Sequence, residues 1–310
     1  MDQRMRARLC ESLRYIFAQA EGQINIPPAR CSRFLGQLKK KPISPRAFSL
    51  YSDAVLAIEE NDLDLAGKLL DELIRLPAHD GRLDIIDLPN PERDPIGRRY
   101  ARFIDDDDSV AFEIFAPSPA AAASCRAQIK DAFTLMDAGD PQLAAEIRAL
   151  LREIILAAGN EDPKALTFDG ASAFMLWGGI IINANRSDGP LAMAQMLAHE
   201  SAHNLLFGFS AEGPLVENSA EELYPSPLRA DPRPMDGIYH ATFVTARMHR
   251  VVRQLLKSGV LSASLSAQAR KDLAENARLF ARGHEVVLKH AKMTPVGEAV
   301  MRGAAGYMAV

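Results

Sequence analysis

Apolar residues recur every three or four positions along most of this chain, and this spacing is typical of amphipathic helices. The clearest stripe lies in residues 61–76, where its members are Leu63, Ala66, Leu69, Leu70 and Leu73. A serine and a proline at residues 44–45 form a cap and a first helical turn, and they predict a helix through residue 58. The same periodicity predicts helices over residues 3–20, 120–136 and 141–157.

Short runs that are rich in β-branched and aromatic residues predict a few strands. The candidates are residues 83–88, 110–115, 165–168 and 174–183. The last of these leads into a helix over residues 191–207. We interpret it either as an edge strand that pairs with an extended peptide or as a buried strand within the sheet.

The C-terminal third is helical again, apart from a proline-rich stretch at residues 224–237. This stretch contains too much proline for a helix or a central strand, so we predict an ordered loop. A helix is predicted over residues 238–257, and one long helix or two over residues 264–292.

These elements predict an α+β fold that is predominantly α-helical, with a small sheet next to the helix at residues 191–207. We divide the chain into a helical N-terminal region, residues 1–105, and a C-terminal region, residues 106–310, which contains six of the seven histidines. The alternative is that both regions form one continuous domain.

Composition excludes several classes of protein. The net charge of −4 and the pI near 6.0 give no electrostatic reason to expect nucleic-acid binding. The three cysteines are too widely spaced for a disulfide framework, and no run resembles a signal peptide or a membrane span. We therefore expect a cytoplasmic protein without a membrane partner. The acidic run Asp105–Asp108 is interpreted as a solvated turn.

The sequence His199-Glu-Ser-Ala-His203 carries the strongest chemical signal, because it reads HExxH inside the apolar-periodic run at residues 191–207. On a helix, residues four apart share one face, so both imidazoles can reach one divalent metal ion. Glu200 follows His199 by about 100° around the helix. It can therefore act beside the metal as a base or as a ligand.

A catalytic metal site needs a third protein ligand. The downstream candidates are Glu217, Glu221, Glu222, His240, His249, His284 and His290. We prefer His240, because it shares a helical stripe with Phe243, Val244, Met248 and Val251, whereas His249 is expected to face outward. Leu206 and Phe209 stand where an extended HExxHxxGxxH pattern needs glycine and histidine, which excludes that variant.

Arg247 lies seven residues after His240 and falls on the same helical face. An arginine on a core-facing stripe needs an anion. That anion is either a carboxylate of the protein or a carboxylate of a small cosubstrate. Arg229 and Arg233 in the proline-rich stretch raise the same question.

The motif helix, the segment Tyr224–His240 and the run Phe243–Arg247 together resemble the HExxH-motif peptide-modification proteins, which are associated with ribosomally made, post-translationally modified peptides. The resemblance covers roughly residues 180–253, and its specific part is the proline-rich segment that ends in histidine. It implies an Fe(II) oxygenase that uses 2-oxoglutarate to hydroxylate the β-carbon of a residue in a precursor peptide.

The resemblance also implies roles for single residues. His199, His203 and His240 would hold Fe(II), and Arg247, Arg229 or Arg233 would bind 2-oxoglutarate. Glu200 is the catalytic candidate, as a ligand, an orienting group or an acid/base group. The candidates for contact with the substrate are Asn183, Tyr224 and Tyr239. The expected partners are the precursor peptide and other maturation enzymes.

Two alternatives remain open. The chain is a zinc metallopeptidase, for example in leader-peptide processing, if Glu200 activates a zinc-bound water and Glu221 or Glu222 completes the site. It is a non-catalytic peptide-binding protein if the motif helix has lost its chemistry.

Overall fold

Helices dominate this protein, and a small sheet of mixed direction accompanies them, so the predicted α+β, mainly helical class is confirmed. The computed structural model describes residues 1–19, 24, 26–104, 113–160, 167–186, 188–229 and 231–309. The chain forms two compact units, each built from two stretches. The first contains Met1–Ser118 and Arg148–Asn183, and the second contains Pro119–Ile147 and Ala184–Val310. The units therefore do not follow a single division near residue 105.

The first unit begins with helices whose apolar stripes the sequence predicts. They are α1 (Asp2–Gln19), α2 (Pro28–Lys40), α3 (Arg46–Glu59), α4 (Leu63–Ile74) and the short α5 (Pro95–Ala101). The helices predicted over residues 3–20, 44–58 and 61–76 are confirmed as α1, α3 and α4. Asp62 caps α4, because its carboxylate accepts a hydrogen bond from the amide of Leu65.

A four-stranded sheet in the order β1-β2-β4-β3 lies in the same unit. Its strands are β1 (Asp84–Asp87), β2 (Glu153–Ala157), β3 (Gly170–Ala171) and β4 (Gly179–Asn183). β1, β2 and β4 are parallel, and β3 is antiparallel to β4. Every residue of β2 and β4 is buried, which is typical of parallel strands that are covered on both faces. The strand predicted at residues 83–88 is confirmed.

The helix predicted over residues 141–157 is wrong in its second half. Helix α7 (Pro141–Leu150) ends early, and the residues that follow form β2. A short apolar run that is buried on all sides has no periodicity that separates a strand from a helix. The β-branched pair Ile154 and Ile155, both fully buried, was the signal for the strand.

The strand predicted over residues 174–183 is only partly correct, because Phe174–Leu176 form a 3-10 turn and β4 starts at Gly179. Gly178 has φ +82°, a left-handed conformation that separates the two. The predictions for residues 110–115 and 165–168 each lie half outside the described residues, and the Asp105–Asp108 run lies wholly outside them. The described residues 113–115 and 167–168 form no strand, but Phe115 makes an isolated antiparallel bridge with Ala158.

The second unit is almost entirely helical. Besides most of α7 it contains α6 (Pro119–Gly139), α8 (Gly189–Phe209), β5 (Leu223–Tyr224), β6 (Arg233–Pro234), α9 (Met235–Ser258), α10 (Ala263–His290) and α11 (Pro295–Met308). α9 is the central helix, since it packs against α6, α8, α10 and α11. The helices predicted over residues 120–136, 191–207 and 238–257 are confirmed as α6, α8 and α9.

Two features of this unit differ from the sequence-based predictions, and an open alternative is decided. The proline-rich stretch holds a two-stranded hairpin, β5 with β6. Of the one or two helices predicted over residues 264–292, the structure has one, α10, which ends at His290. His249 was expected to face outward but is buried, and its Nδ1 lies 2.9 Å from the hydroxyl oxygen of Tyr307 on α11. The reason is that α9 packs against helices on several sides, so its exposed residues cannot be predicted from a single apolar stripe.

Among the described residues, no helix combines the length and apolarity that crossing a bilayer requires.

We expect Gly297→Ala to lower the free energy of unfolding by about 1–3 kcal/mol, the usual cost of overpacking a core. Gly297 lies in the first turn of α11, where an added methyl group would collide with the backbone carbonyl of Leu215. Urea denaturation measures the effect. Gly303→Ala on the same helix is the matched control, because nothing lies within 4 Å of its Cβ position. Equal stability of both variants would contradict the close approach of Gly297 to the carbonyl of Leu215.

Candidate metal centre

Helices α8 and α9 bring the three predicted histidines together. His199 and His203 lie on one face of α8, and their Nε2 atoms are 3.2 Å apart. His240 on α9 approaches from the other side, with its Nδ1 atom 3.0 Å from Nδ1 of His203. Phe207, one turn further along α8, stacks on the ring of His203 with the centroids 6.3 Å apart. The packing of α8 on α9 thus brings His240 next to His203, which is 37 positions away in the sequence.

Burial keeps these imidazoles neutral. It lowers the pKa of His199 to about 4. Burial, together with repulsion from the neighbouring rings, holds the pKa of His203 well below its usual range. Burial also lowers the pKa of His240, although the carboxylate of Asp236 opposes this shift. Neutral imidazoles keep a free lone pair on one nitrogen, which is the form that binds metal ions.

The distance between the two Nε2 atoms of α8 suits a shared metal ion. Two nitrogens that each lie about 2.0–2.1 Å from one ion are separated by roughly 3 Å. His203, however, presents Nε2 to His199 and Nδ1 to His240, so the three rings form a chain and not a convergent triad. Within the described ranges, no three or more His, Cys, Asp or Glu side chains have the arrangement of a formed metal site.

The outer ring nitrogens of the pair have their own partners. Nδ1 of His199 lies 3.4 Å from the sulfur of Met248, and Nδ1 of His203 faces His240. A proton on each Nδ1 would be donated to these partners and would leave two Nε2 lone pairs facing each other. A cation between them would stabilise that tautomer. Alternatively, Nε2 of His199 carries a proton and donates a hydrogen bond to Nε2 of His203, and no metal ion is needed.

Glu200 is buried, and its Oε1 atom lies 4.0 Å from Nε2 of His199. The Glu200 carboxylate therefore lies close to the Nε2 atom of His199, the atom that would bind a metal ion shared with His203. The other carboxylates considered as ligands, Glu217, Glu221 and Glu222, are exposed. Glu222 accepts a hydrogen bond from Tyr224 at 2.6 Å. None of these three carboxylates has a described contact with the histidines.

Arg247 is supplied with an anion by the protein itself. Its Nη2 donates to the carboxylate of Glu146 on α7. Burial lowers the pKa of Arg247, and the charge of Glu146 opposes that shift. Its Nε is buried without a hydrogen-bond partner among the described residues. The Nε–H group of Arg247 can therefore still donate a hydrogen bond.

The other predicted ligand-binding residues have contacts elsewhere. Arg233 pairs with Asp231 at 2.7 Å in the β5–β6 hairpin, and the backbone amide of Arg229 donates to Ser226. Tyr239 is fully buried and donates its hydroxyl to the carbonyl of Gly297 at 2.7 Å. Asn183 belongs to the first unit, where its amide donates to Thr167 and to the carbonyl of Phe168. Tyr239 has no described contact with the three histidines.

Two acidic residues that form ion pairs with α9 were not identified from the sequence. Glu146 binds Arg247, and Asp140 accepts two hydrogen bonds from Arg250 at 2.9 and 3.1 Å. Asp140 stands directly before Pro141, and an aspartate followed by proline is a recognisable helix start. Nothing local to Glu146 indicates its partner, which is 101 residues away.

No protein-family model matches the chain, and no curated protein matches it significantly.

Proposed function

We propose that this protein is a metalloenzyme that hydroxylates a residue of a ribosomally made precursor peptide, using Fe(II) and 2-oxoglutarate. The observation that carries the proposal is the pair of Nε2 atoms on His199 and His203, which are 3.2 Å apart on neutral rings. Imidazole binds Fe(II) as well as Zn(II), so this pair supports a metal centre without selecting the metal. The reaction class rests on the resemblance of the motif helix and the proline-rich segment.

In this proposal His199 and His203 hold the ion through Nε2, and His240 supplies the third imidazole. His240 now hydrogen-bonds His203 through Nδ1, so its ring has to turn before it can share the ion. Bound Fe(II) would supply the activation of O₂ together with 2-oxoglutarate. The protein contributes orientation, a buried site and a fixed tautomer at each imidazole.

A carboxylate exchange at Arg247 provides a route for binding the cosubstrate. Glu146, the present partner of Arg247, keeps 38% of its side chain exposed, so it can move into solvent at little cost. The distal carboxylate of 2-oxoglutarate would then replace one carboxylate with another, and the buried guanidinium would remain paired. The unused Nε of Arg247 would complete a two-pronged contact.

The zinc metallopeptidase is kept as a second candidate because of Glu200. A carboxylate 4.0 Å from a metal-binding nitrogen is in place to accept a proton from a metal-bound water. The exposure of Glu221 and Glu222 weakens this candidate, since each was proposed to complete a zinc site.

The test begins with the purified protein under anaerobic conditions, with Fe(II) and 2-oxoglutarate added. We expect a visible charge-transfer band, and succinate formation after O₂ is admitted. With peptides encoded beside the gene as substrates, mass spectrometry should show the gain of one oxygen on an intact chain. The variant His199→Ala is the matched control and should show neither the band nor succinate.

Two outcomes would overturn the hydroxylase. One is the absence of both the band and succinate from protein that binds Fe(II). The other is cleavage of the same peptides by the zinc-loaded protein, which would establish the peptidase.

A further inference from the structure

The first unit contains an open cleft of about 560 Å³ that is separate from the histidine cluster. Three arginines of α5 and the turn after it line the cleft, namely Arg98, Arg99 and Arg102. The volume lies within the range of about 300–1,000 Å³ that is usual for ligand sites. The dominance of one charge sign in the lining makes this cleft a candidate anion site.

Among the described residues, the carboxylates next to the cleft are fewer than the guanidinium groups. Arg99 donates to Asp53 at 2.6 Å, and Arg102 donates to the other oxygen of the same carboxylate. Arg99 also lies 3.5 Å from Glu72, which already accepts a hydrogen bond from Arg46 at 2.5 Å. Two carboxylates thus serve three guanidinium groups.

Arg98 has no carboxylate partner in the part of the chain that the structure describes. Its described hydrogen bonds go to the backbone carbonyls of Pro91 and Glu92, at 3.4 and 3.3 Å, and not to a carboxylate. The nearby Asp94 is the cap of α5, and one of its oxygens accepts from the amides of Ile96 and Gly97. The described groups around the cleft therefore keep an excess of positive charge.

The buried part of the network forms a rigid base. The side chains of Arg99 and Asp53 are 10% and 13% exposed, whereas Arg102 is 54% exposed and Arg98 is an exposed residue. An arriving anion would therefore meet guanidinium groups whose positions are set by a preformed ion pair. A preorganised arginine fork binds carboxylates and phosphates in two-pronged geometry at little entropic cost.

We propose that this cleft binds an acidic peptide segment, through carboxylates on the arginines and an adjacent apolar side chain. The apolar contact is available because Pro95, Ala101 and Ile114 also line the cleft, beside the carboxylate of Asp53 that Arg99 and Arg102 already bind. Inorganic phosphate would use only the arginines and would leave that apolar surface in water. The site does not depend on the metal centre, so either proposal can fail without the other.

The test is fluorescence anisotropy with a labelled peptide of alternating leucine and glutamate, compared with a matched leucine–glutamine peptide. Arg98→Gln should weaken binding of the acidic peptide by at least about 10-fold, since a charge-assisted hydrogen bond contributes that much. The matched control is Arg82→Gln, which removes an arginine that is 85% exposed and does not line the cleft. It should change the affinity less than about twofold. Thermal melts should show that both variants fold.

Several results would overturn the proposal. Equal binding of the glutamine peptide would remove the role of charge, and an equal loss in Arg82→Gln would indicate non-specific attraction. Full competition by millimolar inorganic phosphate, with no gain from the leucines, would establish an anion site that does not recognise peptides.

Discussion

Replacing His203 by alanine is expected to weaken metal binding by more than about 100-fold. Replacing a residue that only supports a metal ligand weakens binding by up to about 100-fold, so the loss of a ligand itself should exceed that value. His203 is the middle ring of the cluster, in contact with His199 through Nε2 and with His240 through Nδ1. Its loss would remove one Nε2 of the proposed pair and would also separate His240 from the cluster. Titration with Co(II), whose spectrum reports its ligands, measures the effect.

The same titration assigns His240. If its imidazole is the third ligand, His240→Ala should match the loss in His203→Ala. If it only holds the tautomer of His203, the loss should be about 10–100-fold. His290→Ala is the control, because this exposed histidine on α10 contacts Tyr224 and not the cluster. Unchanged metal affinity in His203→Ala, with a normal circular dichroism spectrum, would contradict the metal centre.

Asp140→Ala should lower the free energy of unfolding by about 2–4 kcal/mol. Removing one partner of a buried ion pair costs about 3–5 kcal/mol, and we reduce that value because 23% of the Arg250 side chain is exposed. The variant loses both hydrogen bonds from Arg250 and the cap that Asp140 provides to the amide of Leu143 at 3.0 Å. Chemical denaturation measures the change.

The chain provides a matched control for this prediction. Asp188 also precedes a helix and also pairs with an arginine, Arg186, at 3.0 Å. Its side chain is 56% exposed and makes no capping hydrogen bond, so Asp188→Ala should cost only about 0–1 kcal/mol. Similar losses in both variants would show that burial of the Asp140–Arg250 pair is not the cause.

The Asp140–Arg250 pair also bears on the candidate centre. Arg250 and Arg247 both project from α9 towards acidic residues at the start and in the middle of the segment that forms α7. Both ion pairs join α9 to this segment. α9 is also the helix that presents His240 to His203.

Much of the helical architecture was predictable, because periodicity and capping are local properties. The stripe of α4 and the aspartate that caps it lie within twelve residues of each other, so no knowledge of the fold was needed. The prediction failed for β2, where burial on every side removes the contrast between apolar and polar positions. It failed for His249 because α9 is covered by several helices and not by one.

The amino-acid order alone was sufficient to place His199 and His203 on one face of one helix, because four residues make nearly one turn and no distant contact is required. Long-range packing decided which groups these imidazoles meet. It set Met248 against His199 and His240 against His203, it determined which ring nitrogen each contact uses, and it assigned Glu146 to Arg247. Such pairings join residues that are 37 to 101 positions apart, and they depend on how whole helices dock, which no local pattern encodes.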